Sequence, residues 1–431
     1  SDSLPFWIFR FQRFPIPVSM EEIEVPSHFL CPISLEIMRD PVTISSGITY
    51  DRPCIEKWLF AGGNATCPLT KQALMHSGDP LHVIITPNHN LRRFIQGWCA
   101  LHASHGVERF PTPKPPVTGH QVGKLLNDAS RSSDGLRTSL RTLRTLAAEC
   151  DANKRGMEAS GVVEFLAPII LGGGYETDTV CEAVGVLSHL NVSDAGLKGL
   201  FRKTNGGDCF VNSLVKLLKR GSCETRVQTV LLLKSMLRHA APADLLLGVP
   251  PEFFVEIVRV LRDQLSPQTT MAALQLLAHC CPWGRNRVKA AQAGAVHALI
   301  EVLLEHSASH RRSCELALMA LEQVCECAEG RAEFLGNGAG LAVVSKKVLR
   351  VSAAASESAV RVLLSAAKKS GGATVAREMV EVGVVAKLLL VLQVGGWTAT
   401  KEKAAEILKL HAGAWKHSPC LSNSLHFGYP S

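Results

Sequence analysis

The stretch Val162-Val163-Glu164-Phe165-Leu166-Ala167-Pro168-Ile169-Ile170 sets apolar residues at 162, 165, 166, 169 and 170. That spacing is one face of a helix. Val296, Leu299, Ile300, Leu303 and Leu304 fit the same template, and Leu341, Val344, Ser345, Val348 and Leu349 fit it with one polar member. Shorter matches begin at Val211, Phe254 and Val385, so the anchors follow one another at intervals of 49, 43, 42, 45 and 44 residues.

A helix with one apolar face cannot bury that face alone, so a recurring helix at fixed period implies stacked repeats sharing a continuous core. The observed period lies within the roughly 40–47 residues of armadillo and HEAT repeats. Gly161, Gly294, Gly340 and Gly383 stand just ahead of four of these helices. They are expected to let the chain turn sharply between helices. The tryptophans beyond the linker, Trp283, Trp397 and Trp415, have no repeat spacing. The regular Trp and Asn ladder of a nuclear-import receptor is therefore absent.

Working outward, residues beyond Gly119 read as helix after helix. Residues 103–119 form a linker with Pro111, Pro113, Pro115 and Pro116, and residues 25–102 mix strand-like runs, turns and two helical patterns. The expected organisation is an N-terminal extension at 1–24, a small α+β module at 25–102, a Pro-rich linker at 103–119, an all-α armadillo-type superhelical solenoid at 120–413, and a tail at 414–431. Position 1 is Ser, and residues 1–19, with Phe6-Trp7-Ile8-Phe9, match nothing downstream. They read as an upstream extension or disordered tail, with a partner-binding or membrane-touching segment as the alternative. Met20 is a candidate initiator.

The chain carries a formal charge of +8 over 431 residues, with pI near 8.8. The basic residues are spread rather than clustered, which argues against a nucleic-acid binder. Most of the 14 cysteines lie inside apolar helical patterns, as Cys314 and Cys325 do. There they act as small hydrophobes. With no signal peptide in view, a reducing, cytoplasmic setting is expected, with nuclear entry open. No run is long and apolar enough for a membrane span. Residues 264–284 carry no formal charge, but their Gln, Ser, Thr and His side chains make a poor span.

In the N-terminal module, Asp40-Pro41-Val42-Thr43-Ile44 reads as a strand, Ser45-Ser46-Gly47 as a turn and Ile48-Thr49-Tyr50 as the returning strand. Asp51 is a helix N-cap, Pro53 suits the first turn, and Gly62-Gly63 ends that helix. Ile55 and Leu59 face the core, and Trp58 points elsewhere. A closing helix runs from about Asn90 with Leu91, Phe94, Ile95 and Trp98 as its stripe. Cys31, Cys54, Cys67 and Cys99 form no Cys-x-x-Cys pair, and His76, His82 and His89 lack paired ligand spacing. Structural zinc needs four ligands, usually in close pairs, so no metal is assigned.

The ordered set Cys31-Pro32-Ile33-Ser34, Asp40-Pro41-Val42, Ser46-Gly47-Ile48-Thr49-Tyr50-Asp51-Arg52, Ile55-Glu56-Lys57-Trp58-Leu59, Cys67-Pro68-Leu69-Thr70 and Thr86-Pro87-Asn88-His89-Asn90-Leu91-Arg92 resembles a U-box, the zinc-free relative of the RING domain. From Met20 onward the chain resembles plant U-box/armadillo ubiquitin ligases, in the subgroup linked to immune and drought signalling. Segments such as Cys281-Pro282-Trp283-Gly284-Arg285-Asn286-Arg287 add to the likeness.

The resemblance implies an E3 ubiquitin-protein ligase without a cofactor. Ile33, Trp58 and Pro68 match the family's contacts for the ubiquitin-charged conjugating enzyme, the E2. Cys31, Ser45, Ser46, Asp51, Cys67, Thr70 and Asn88 are candidates for polar contacts that brace the two loops in place of metal. Lys71 matches the cationic or polar position that favours the closed, reactive arrangement of E2 and ubiquitin. The solenoid would hold a protein substrate in its groove, and self-association is a further reading. Catalysis would be by proximity, with no covalent intermediate. Two alternatives stand beside this: a thioester on Cys31, Cys54 or Cys67, for which no activating His–acid arrangement is evident, and a non-enzymatic scaffold with a degenerate U-box.

Overall fold

The structure is a computed structural model describing residues 24–61, 64, 66–74, 85–108, 116–172, 174–203, 208–239, 241–305, 310–369 and 373–415. The expected N-terminal extension up to residue 23, residues 109–115 of the Pro-rich linker, the helix stop at Gly62-Gly63 and the tail from 416 lie outside the described residues. The chain forms two compact units, divided between Pro115 and Pro116.

The first unit is built on a small antiparallel sheet. Strand β1 (Pro41–Thr43) pairs with β2 (Thr49–Asp51) on one side and β3 (Thr86–Pro87) on the other. Val42 lies opposite both Tyr50 and Pro87. Helix α1 (Arg52–Glu56) follows β2, starts on Pro53 in its first turn, and widens to π geometry over Lys57–Ala61. Helix α2 (His89–Leu101) closes the unit, capped by Asn88, whose side chain accepts the Leu91 N–H. Met38, Val42, Tyr50, Ile55, Leu59 and Ile95 form the buried centre.

Two expectations change here. Asp51 stands at the N-cap position of α1 but its carboxylate makes no cap hydrogen bond, because it turns back to the chain at Arg39 and Asp40. Phe94 is 69% exposed. It sits one residue, about 100° of helical rotation, from the buried Ile95, so Leu91, Ile95 and Trp98 take the inward face.

The second unit opens with α3 (Gly119–Ala129), which begins on a reciprocal cap between Thr118 and Gln121, and α4 (Ser133–Glu149). A short, a medium and a long helix then recur, except in the fifth set, where the first helix is one residue longer than the second. They are α5 (Asp151–Ala159), α6 (Val162–Leu171) and α7 (Thr177–Leu190); α8 (Asp194–Lys203), α9 (Asp208–Arg220) and α10 (Cys223–His239); α11 (Ala243–Gly248), α12 (Pro251–Asp263) and α13 (Pro267–Cys280). The pattern continues with α14 (Asn286–Gln292), α15 (Ala295–Glu305) and α16 (Arg311–Cys325); α17 (Ala328–Gly336), α18 (Gly340–Lys347) and α19 (Ala353–Lys369); α20 (Ala373–Glu381), α21 (Val384–Gln393) and α22 (Thr398–Leu410). The short α23 (Ala412–Trp415) ends it. The six sequence anchors, Val162, Val211, Phe254, Val296, Leu341 and Val385, all lie in the medium helices and are buried.

Gly161, Gly294 and Gly383 have φ of +83°, +78° and +75°, the left-handed turn that glycine adopts without a Cβ clash. Gly340 differs. It is the first residue of α18, and a Cβ there would stand 2.8 Å from the Phe334 carbonyl oxygen, so close backbone approach rather than a turn accounts for it. Helix α18 also stops at Lys347, since Val348 is extended and Leu349 has φ +62°.

The long helices α4, α7, α10, α13, α16, α19 and α22 each pack on the next and form a continuous row. Hydrogen bonds at the repeat distance fasten it. His279 Nε2 donates to the Leu237 carbonyl (3.0 Å) and His411 Nε2 to that of Ala367 (3.1 Å). Ser365 Oγ donates to Cys325 (2.8 Å). All three acceptors lie in the last turn of a long helix, where carbonyls have no partner within the helix. A donor from the following repeat satisfies them.

Asn286, fully buried, donates from Nδ2 to the carbonyls of Leu246 (2.7 Å) and Cys280 (3.0 Å). Asn286→Ala should therefore leave the Leu246 carbonyl without its Asn286 donor, take one of two donors from the Cys280 carbonyl, which also accepts the Trp283 N–H, and lower the stability of this part of the solenoid by about 1–3 kcal/mol. Urea unfolding followed by circular dichroism checks it; a loss under about 0.5 kcal/mol would show that the carbonyls find other partners.

Candidate functional site

Two loops of the first unit have the same shape. Cys31-Pro32-Ile33-Ser34-Leu35-Glu36 closes on itself through Cys31 N–H to Glu36 O (2.8 Å) and Leu35 N–H to Cys31 O (2.8 Å). Cys67-Pro68-Leu69-Thr70-Lys71-Gln72 repeats it, with Cys67 N–H to Gln72 O (2.8 Å) and Lys71 N–H to Cys67 O (3.0 Å). Isolated bridges flank each loop, Leu30 with Ile37 and Thr66 with Ala73. Leu35 and Lys71 both have φ of +59°, a left-handed conformation that is uncommon for residues other than glycine. A zinc knuckle would place a second cysteine where these loops have Ser34 and Thr70, so each keeps a single thiol and the neighbours serve it as hydrogen-bond donors. Among the described residues no group of three His, Cys, Asp or Glu side chains is placed to hold a metal.

Adjacent residues of β2 hold the two loops, Asp51 through its backbone N–H and Tyr50 through its side chain. The Asp51 N–H donates to Cys31 Sγ (3.3 Å) in the first loop, and Asp51 Oδ1 accepts the N–H groups of Arg39 (3.1 Å) and Asp40 (2.7 Å) beyond it. The Tyr50 hydroxyl lies 3.1 Å from Cys67 Sγ in the second loop and accepts the Leu69 N–H (3.3 Å). Ser46 Oγ donates to Cys67 Sγ (3.3 Å), and the Thr70 N–H reaches the same sulfur (3.5 Å).

Asn88 ties sheet to helix instead, donating from Nδ2 to Thr43 Oγ1 (3.5 Å) while capping α2. Ser45 is exposed in the turn and, among the described residues, is not part of either brace. Its neighbour Ser46 takes the inward side. A partly buried ionic cluster not foreseen from sequence joins the first loop's exit to both helices: Asp40 meets Arg52 (2.6 Å) and Arg92 (3.7 Å).

The electrostatics follow from these contacts. Burial opposes ionisation of Cys67, but the donors Ser46, Thr70 and Tyr50 outweigh it and bring the thiol down to about 6. Burial likewise opposes ionisation of Cys31, and the N–H groups of Ser34, Asp51 and Ile33 still draw its pKa below the ordinary value. Burial pushes Cys54, Asp51 and Tyr50 upward. Cys31 and Cys67 have no exposed surface, so their polarised sulfurs brace the loops and present no nucleophile to a partner.

The outward face is apolar. Ile33 is 37% exposed, Leu35 74% and Leu69 60%. Pro68 is half-buried beside them. Trp58 is also half-buried, its Nε1 donating to the Thr66 carbonyl at the start of the second loop (2.8 Å). Lys71 Nζ lies over its ring, 5.5 Å from the centroid, within cation–π range. The sequence reading named Ile33, Trp58 and Pro68 but missed Leu35 and Leu69, which are the more exposed. Aligning the loops as Cys-Pro-Ile-Ser-Leu-Glu over Cys-Pro-Leu-Thr-Lys-Gln would have shown that they fold alike and hold both tips outward.

This face and the helical row together define a U-box followed by an armadillo solenoid. The U-box domain family model matches residues 25–104 and the model for the plant U-box protein ARM repeat region matches residues 121–431. The chain belongs to the plant U-box/armadillo-repeat E3 ubiquitin-protein ligases. It is 49% identical over 411 residues to the E3 ubiquitin-protein ligase PUB23 of Arabidopsis thaliana, covering 95% of this chain and 98% of the relative. Against PUB22 of the same plant the identity is 45%, covering 95% and 100%. A solved structure described as a phosphorylation switch controlling the interaction between cadherin and beta-catenin matches with a TM-score of 0.56, covering 78% of this chain and 62% of that one at 14% identity. That likeness speaks for the fold alone.

The sulfur brace has a pH signature. Cys67 falls from an ordinary value of 9.0 to about 6 on folding. Its stabilising effect is complete above pH 9 and is lost as pH falls toward 6. The melting-temperature gap between wild type and Cys67→Ser should widen from pH 6 to pH 9, measured by differential scanning fluorimetry of the U-box transition. A constant gap would mean the thiol stays protonated throughout.

Proposed function

We propose that the two loops and α1 bind a ubiquitin-charged E2 while the solenoid holds a protein substrate, so that ubiquitin passes directly from the E2 to a substrate lysine. The observation that carries this is the outward apolar face of Ile33, Leu35, Pro68 and Leu69 around Trp58, held by buried sulfur and strand contacts. An apolar cluster of this kind is a hot spot that a partner can desolvate. The inaccessible Cys31 and Cys67 favour scaffolding over a thioester on the ligase. The work of the ligase is then to orient the reacting groups.

Lys71 is proposed to bias the charged E2 toward its reactive arrangement. Its ammonium stands over the contact tryptophan, where it can meet groups of both the E2 and ubiquitin. A role in plant immune and drought responses, a cytoplasmic or nuclear setting and self-association are further proposals. The first rests on the resemblance of the sequence from Met20 onward to plant U-box/armadillo ligases. None of the helices among the described residues is long and apolar enough to cross a membrane.

Self-ubiquitination with purified E1, E2 and ubiquitin tests the activity. Ile33→Ala is the cleaner contact variant, since Trp58→Ala also removes the Thr66 hydrogen bond. At limiting E2, Ile33→Ala should weaken binding by about 1–3 kcal/mol and slow transfer with no change in melting temperature; wild-type transfer would refute the contact.

Single-turnover discharge of the E2 thioester onto free lysine separates Lys71 from binding. Lys71→Ala should slow it, and Lys71→Arg should equal or exceed wild type, because a guanidinium fork bridges two acceptors. An unchanged rate in Lys71→Ala would leave Lys71 a solvated surface lysine. A chain ended after Thr118 should keep self-ubiquitination and lose transfer to a native substrate. Equal transfer would remove the solenoid from recognition.

A further inference from the structure

The medium helices stack as a second row, α6, α9, α12, α15, α18 and α21, each packed on the next. The position four residues after the anchor is buried in the first five of them, as Leu166, Val215, Val258, Ile300 and Ser345. So is the position seven after it, as Ile169, Leu218, Leu261, Leu303 and Val348. In α21 the same positions hold Leu389 and Leu392, and both are only partly buried. No further medium helix follows α21 among the described residues, so these two leucines mark the side on which its apolar face has no neighbour.

The position five residues after the anchor differs in kind as well. Lys216, Arg259, Glu301 and Lys346 occupy it in the four preceding medium helices, whereas α21 has Leu390, 46% exposed. A lone exposed leucine is ordinary, but this one is not alone. Ala386, Leu389 and Leu390 stand one turn apart and share a face, with Leu392 beside it. Helix α23 fixes where the chain goes next. It packs on α20 as α17 packs on α14, and the buried Trp415 donates from Nε1 to the Ala376 carbonyl of α20 (3.1 Å). Helix α23 thus takes the short-helix place of a seventh set. In the earlier sets the medium-helix anchor comes 10 to 17 residues after the first residue of the short helix. The same interval from Ala412 covers residues 422–429.

We propose that residues 416–431 cover the open face of α21, in place of a further medium helix. The match to the plant U-box protein ARM repeat region runs on through them. Their apolar members suit the face: Leu421, Leu425 and Tyr429 are four residues apart, a spacing that gathers them on one side to meet Ala386, Leu389 and Leu390. Between them lie Ser422, Asn423, Ser424 and His426, which leave a polar outer surface, as the end of a repeat row requires for solubility. Reach is no obstacle. Helix α21 has 10 residues, about 15 Å, and a stretch as long as 416–431 extends to about 50 Å.

Hydrogen exchange read by mass spectrometry on the full chain tests this. Leu425→Ser together with Tyr429→Ser in the tail, and separately Leu390→Ser on α21, should each speed exchange of the α21 amides by about tenfold or more and leave α13 as it is. Leu304→Ser on α15 is the control, since Leu304 is 58% exposed on a helix with a medium helix on either side. It should speed exchange of its own helix by no more than roughly two- to threefold. Adding Leu390→Ser to the tail pair should contribute only that small factor, because the two changes break the same contact. Unchanged α21 exchange in the tail variant, effects that multiply in full, or a loss that extends to α13 would each overturn the proposal. So would wild-type protection of α21 that rises with protein concentration, which would make a second copy the occupant of this face.

Discussion

The first unit depends on β2, a strand of three residues. Tyr50 and Asp51 are neighbours, and each holds one loop, Tyr50 by its hydroxyl and Asp51 by its main-chain N–H. Tyr50, with no exposed surface, reaches the Cys67 sulfur and the Leu69 N–H, while Asp51 gives its N–H to the Cys31 sulfur and takes N–H groups from Arg39 and Asp40. A metal would fix such loops by coordination. Here buried sulfur, a phenol and a carboxylate do so by hydrogen bonds, which are satisfied together or not at all in a dry interior. The outward consequence is the position of Ile33, Leu35, Pro68 and Leu69, whose backbone would otherwise have little to hold it.

The solenoid has a comparable constraint in a different form. Its stability comes from apolar faces that run continuously through all the repeats, but burial alone does not fix how one repeat sits on the next. The hydrogen bonds from His279, Ser365 and His411 do. Each reaches back about one repeat to a helix-end carbonyl, so the pitch of the row is set by groups that would be unpaired in a single repeat. The ion pairs of Arg144 and Arg361 add ties between long helices.

Much of this was legible in the sequence because periodicity reports burial directly. The anchors Val162, Val211, Phe254, Val296, Leu341 and Val385 are all buried in medium helices. Local rules did less well where a distant group competed. Asp51 has the composition of a helix cap, yet two backbone N–H groups twelve and eleven residues earlier claim its carboxylate. Phe94 has the character of a core residue, but Leu91, Ile95 and Trp98 already fill the inward stripe of α2. Gly340 was grouped with three turn glycines, whereas its place is decided by the Phe334 carbonyl pressed against it.

By itself the sequence determined the order of the units, the repeat period, the helices that carry the core and the absence of paired metal-ligand spacing in the small module. Those features arise from residues near one another along the chain or at a fixed period, so the pattern contains them. Only the tertiary structure decided which side chains meet: that Cys31 and Cys67 are braces with no surface, that Trp58 is tied to Thr66 and covered by Lys71, and that Leu35 and Leu69 are the outermost apolar tips. Side-chain exposure and hydrogen-bond choice are settled by competition among groups far apart in the chain, and no local pattern records the outcome.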